Sequence, residues 1–134
     1  MSKKTFVTFG LLVVFLAVLI PWLAFRADGE SAPEAHVPSE LDDAKALFDI
    51  NCGGCHTLYA AETDGNFGPD LDALLAPAGP VEGDSAKTNE GRVLTAIEKG
   101  VDSTTEPGRM PAGILNGEQA EEVAEFVART AGQG

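Results

Sequence analysis

At 134 residues and 44% hydrophobic content, the chain has room for one compact domain once its N-terminus is set apart. The formal net charge of −12 excludes nucleic acid and anionic lipid surfaces as electrostatic partners and favours basic ones. All 21 acidic residues follow Arg26, against six basic ones there, so the part after Arg26 carries −15.

The first element in the chain is an apolar run. No charge occurs from Thr5 to Phe25, and 21 helical residues at about 1.5 Å each cover the roughly 30 Å hydrocarbon core of a bilayer. The run is longer than the apolar part of a secretory signal. The −3 positions of possible cleavage sites after Ala24, Ala27 and Ala32 hold Trp22, Phe25 and Glu30, none of them small. The expectation is a retained single transmembrane helix, with a cleaved signal peptide as the alternative. Pro21 is expected to kink or end it, with Trp22 in the interfacial belt. Lys3 and Lys4 place the N-terminus in the cytoplasm and the rest outside, although Arg26 weakens that asymmetry.

Three segments follow from this reading: a cytoplasmic stub and anchor at 1–27, a flexible linker at 28–38 and a domain at 39–134. The linker is rich in Pro, Ala, Ser, Gly and Glu.

In the domain, Ser39 with Asp42 three residues on predicts a helix start, and Leu41, Ala44, Leu47 and Phe48 follow at helical spacing. That helix runs into Cys52-Gly53-Gly54-Cys55-His56. Two thiols spaced to bond a haem's two vinyl groups, followed at once by an imidazole, point to covalent haem attachment. A zinc site would have to recruit His36, which lies beside Pro38 in the linker. A thioredoxin-like pair would follow a strand, whereas this one follows a helix. A plain disulfide leaves His56 without a role.

From His56 to Pro80 the pattern is that of a loop with a short helix at Leu71 to Leu75, and Val81 to Lys87 reads as a polar surface loop. A helix is expected from Asn89 to Lys99, with Val93, Leu94 and Ile97 inward and Gly100 as its stop. The last helix opens with Asn116 as N-cap and presents Ala120, Val123, Ala124, Phe126 and Val127 to the core until about Thr130. No strand pattern is evident, so the fold class is all-α. So short a set of helices buries little by itself, and a bound macrocycle completes the core.

The order of these features resembles class I, mono-haem cytochrome c. The motifs that carry the resemblance are the Cys-x-x-Cys-His, Gly68-Pro69-Asp70-Leu71 and Arg109-Met110-Pro111, over Ser39 to about Thr130. The resemblance implies one covalently attached haem c held by Cys52 and Cys55. It makes His56 the proximal iron ligand through Nε2, with its Nδ1–H donating to the Pro69 carbonyl, and Met110 the sixth ligand. His36 is the one competitor for that position. Asn66 and Phe67 would line the pocket edge; Tyr59, Arg92 and Arg109 are candidates for the haem propionates. The last helix is expected to cross the first, packing Phe126 and Val127 against Ala44, Leu47 and Phe48.

Taken together, these readings describe a membrane-anchored electron carrier, not an enzyme, with its haem domain on the outer side of the cell membrane. It would pass single electrons between redox proteins of a respiratory or photosynthetic chain. The alternative is a dedicated cytochrome subunit of a larger membrane oxidoreductase, of the nitric oxide reductase, quinol-oxidising or terminal oxidase kind. Gly10, Ala17 and Ala24, spaced by seven, would then offer a packing face to it. A third reading, a thiol redox or sensory domain without haem, predicts free or disulfide-bonded thiols.

Overall fold

The computed structural model describes residues 3–27, 35–102 and 109–134. They fall into two compact units divided after Glu34, the second running from Ala35 to Gly134.

The first unit contains helix α1, Lys3–Ala27, which continues through Pro21. The proline therefore does not end the helix, although its missing N–H interrupts the hydrogen-bond ladder. Val7, Phe9, Leu12, Phe15, Ile20 and Leu23 are all exposed on it. Among the described residues no helix is long and apolar enough to cross a membrane.

The second unit opens with a single 3-10 turn, Ser39–Leu41, that leads into α2, Asp42–Asn51. Ser39 makes no capping bond; Asp42 and Asp43 instead place negative charge at the helix's positive end. Ala44 and Phe48, one turn apart, are its buried face. Beyond the motif come strand β1, Thr57–Leu58, a 3-10 turn at Tyr59–Ala61, and β2, Thr63–Asp64, paired antiparallel so that Thr57 faces Asp64. Helix α3, Leu71–Leu75, follows, its N-terminus capped by the Asp70 carboxylate accepting from Ala73 N–H at 3.1 Å.

Helix α4 occupies Asp84–Lys99, so it begins five residues before the expected start and takes in part of the segment read as a loop. Those residues carry no large apolar side chain to announce a buried stripe, yet Asp84 suits the helix N-terminus and the Thr88 hydroxyl donates back to its carbonyl. Strands β3, Val101–Asp102, and β4, Arg109–Met110, form a second antiparallel pair. The two pairs correct the expectation of no strands. Each strand is two residues long, too short to leave an alternating pattern in sequence.

Helix α5, Gly117–Thr130, packs against α4 and α2. Asn116 takes the N-cap position in extended conformation, but its side chain makes no capping bond. Of the expected packing between the last helix and the first, the contact of Phe126 with Phe48 is present: their rings lie 5.8 Å apart at 60°, and both are fully buried. This tilted contact is a favoured arrangement for two aromatic quadrupoles. Ala120, Val123, Ala124 and Val127 fill the rest of the inward face.

Candidate functional site

The cysteine motif is shaped by the end of α2. The Phe48 carbonyl accepts from both Cys52 N and Gly53 N, and the Cys52 carbonyl from both Cys55 N and His56 N, at 2.7 to 3.0 Å. The helix thus tightens into a turn that buries the Cys52 thiol and leaves Cys55 at the surface. The two sulfurs are not bonded to each other. Burial, and secondarily the neighbouring Cys55, push the free Cys52 thiol up to about 11.

The Gly-Pro element closes on this turn. Gly68 N–H donates to the Cys55 carbonyl at 2.7 Å, and His56 Nδ1 lies 2.9 Å from the Pro69 carbonyl oxygen. A carbonyl can only accept, so this contact assigns the proton to Nδ1 and leaves Nε2 as the ring nitrogen with a lone pair. Gly68 packs against the ring so tightly that a β-carbon there would lie 2.5 Å from Cε1. A cradle without a side chain on one side of an imidazole, with two thiols in the adjoining turn, fits a covalently held haem with one nitrogen ligand.

Met110 lies in β4 opposite Val101, half-buried and packed against the hydrophobic core. Gly100, with φ +71°, is essential to that hairpin, because a β-carbon there would meet the Met110 carbonyl oxygen at 2.6 Å. Arg109 is held outward in a two-pronged ion pair with exposed Asp102, at 2.8 and 3.3 Å. The Arg92 guanidinium reaches Asn89 Oδ1 at 3.5 Å. The His36 ring is exposed, while the backbone N–H and carbonyl of that residue are gripped by the Gln133 amide at 2.8 and 3.2 Å. Residues 28–34 of the expected linker lie outside the described residues, as do residues 103–108 before Met110. Asn66 and Phe67 are exposed beside the motif's partner loop.

Two polar residues that support the site carry no signal in the sequence. Asp72 accepts from Tyr59 N–H and Gly132 N–H, both at 2.7 Å. Asn89, read in sequence as a helix start, is buried inside α4 and donates to the Leu75 carbonyl at the end of α3. Their partners are 13, 60 and 14 residues away, beyond the range of local patterning.

The alternatives for the cysteine pair lose ground in this geometry. Among the described residues no group of three or more His, Cys, Asp or Glu is placed to hold a metal ion. The motif follows a helix and precedes a two-residue strand, unlike a thioredoxin-type βαβ unit.

Comparison with known families agrees with the site. The model of the cytochrome c family matches residues 41–131, from the 3-10 turn before α2 to the residue after α5. No curated protein matches the chain.

Proposed function

We propose, from the premise that the chain belongs to the cytochrome c family and carries covalently attached haem c, that it is a membrane-anchored carrier of single electrons. Members of that family are electron carriers, generally not enzymes, and their partners are redox proteins. In this reading Cys52 and Cys55 hold the haem through thioethers, His56 Nε2 is the proximal ligand and Met110 the distal one. The haem, when bound, supplies the reversible one-electron couple of its iron.

The observation that carries the reading is the His56 ring held by the Pro69 carbonyl at 2.9 Å. Held there, the ring keeps one tautomer and one orientation, and the hydrogen bond makes Nε2 a stronger donor. Met110 would contribute a soft thioether that favours the reduced state. With both residues serving as ligands, the iron would offer substrate no open position, which suits transfer between proteins over chemistry on a small molecule. In Met110→Ala the potential should fall and carbon monoxide should bind. An unchanged potential with an intact methionine–iron charge-transfer band would exclude Met110.

The anchor rests on the sequence: Thr5 to Phe25 is uncharged, and 21 helical residues at about 1.5 Å each would cover roughly 30 Å of hydrocarbon. Lys3 and Lys4 keep the N-terminus cytoplasmic in this reading, with the haem domain outside. Its partners would be basic redox proteins or a membrane complex. Purification in mild detergent separates this reading from the subunit alternative: a free tether comes out alone, a subunit with a polytopic partner in fixed ratio. Recovery in the soluble fraction without detergent would remove the anchor.

A further inference from the structure

We propose that Asp72 is a positioning residue for the axial imidazole, its carboxylate holding α3 and the Pro69 carbonyl ahead of it against His56. The inference rests on the reading of His56 as the haem's ligand.

Helix α3 has five residues, too few to hold an orientation by its own hydrogen bonds. Its place is set by bonds to other segments. One carboxylate oxygen of Asp72 accepts from Tyr59 N–H, the other from Gly132 N–H, each at 2.7 Å and partly buried. Both lie at the short end of the N–H···O range. Tyr59 is three residues after His56, and Pro69 is three before Asp72. The two contacts, Tyr59 N to Asp72 Oδ2 and His56 Nδ1 to Pro69 O, therefore close a ring of two short backbone arms. Within that ring the Asp72 bond limits how far imidazole and carbonyl can separate. The second oxygen fastens the ring to the chain just past α5, through Gly132.

The chemical consequence runs through the ring proton. A firm Nδ1–H···O bond gives the imidazole more anionic character and stabilises the oxidised iron. Loosening the clamp should weaken that bond and raise the potential.

The test compares holoprotein of the native sequence with Asp72→Asn, which keeps one good acceptor oxygen, and Asp72→Ala, which keeps none. Asp64→Asn serves as the charge control, removing a negative charge from β2 opposite Thr57 without touching the clamp. Val123→Ala, at a fully buried site on α5, serves as the stability control. Amide exchange at both Tyr59 and Gly132 should quicken about tenfold in Asp72→Ala, the equivalent of one hydrogen bond each, and in Asp72→Asn at whichever of the two loses its acceptor oxygen. Exchange of the His56 Nδ1 proton should quicken with it, and the potential should rise above that of Asp64→Asn, more for Ala than for Asn. The proposal is overturned if the amides lose protection while the ring proton and the potential stay with Asp64→Asn. It is equally overturned if Val123→Ala moves ring proton and potential as far. If Asp72→Ala yields no holoprotein, Asp72→Asn decides by the same criteria. Failure of the ligand reading is separate: it shows as the absence of iron-shifted His56 ring resonances in the native holoprotein.

Discussion

Gly68 lies against the face of the His56 imidazole, where a β-carbon would come within 2.5 to 3.0 Å of three ring atoms. The same residue donates its N–H to the Cys55 carbonyl, so the backbone cannot retreat without breaking a 2.7 Å bond. Gly68→Ala should therefore displace the ring from Pro69. We expect a loss of about 1–3 kcal/mol from overpacking, with a shifted potential, measured by denaturant unfolding of the holoprotein and by redox titration. A variant equal to the native protein in both would show that the ring is free to move.

Phe126 joins α5 to α2 through its contact with Phe48 and has no exposed surface. Phe126→Ala should cost about 3–5 kcal/mol, transfer and cavity contributions combined. Phe126→Leu should cost much less, because it keeps most of the volume. Equal unfolding midpoints for the two would mean the site collapses around the smaller side chain.

Asn89 satisfies the last carbonyl of α3 from inside α4. Replacing it with Ala leaves the Leu75 carbonyl buried without this donor, at a cost of about 1–3 kcal/mol. Asn89→Asp should be no better, since a carboxylate offers no N–H. Thermal unfolding of the two variants checks this, and a fully stable Asn89→Asp would exclude the bond as a support.

Glu40 is held below its ordinary carboxylate value, first by a bond from its own backbone N–H and then by the Arg129 guanidinium. A depressed folded-state value means the group contributes stability above its unfolded value and loses it as pH falls through the folded one. Native protein should therefore exceed Glu40→Gln in stability at pH 7, and the gap should close in acid, below the ordinary carboxylate range. Because the pair is exposed, added salt should shrink the gap at pH 7. A gap that stays constant from pH 7 to pH 3 would exclude the carboxylate as its source.

Cys52 to His56 could be read directly because its spacing is itself the chemistry. The α2, α3 and α5 assignments followed from apolar spacing, from breakers such as Gly68-Pro69 and Pro77, and from Asn116 at the N-cap position of α5. The start of α4 was hidden because its first residues face water, where no apolar period is needed. The two strand pairs were hidden because two residues cannot express a period.

The sequence by itself determined the haem-binding class and the mostly helical character, since each rests on local spacing, while the packing of Phe126 on Phe48 was implied by the family resemblance. The resemblance had already implied the Pro69 carbonyl on Nδ1; only the tertiary structure decided what else bears on the imidazole, with Gly68 against its face and Asp72 joining Tyr59 to Gly132. A carboxylate's partners depend on which backbone N–H groups the fold leaves without a partner nearby. That is settled by packing between segments as far as 60 residues apart, and no local pattern encodes it.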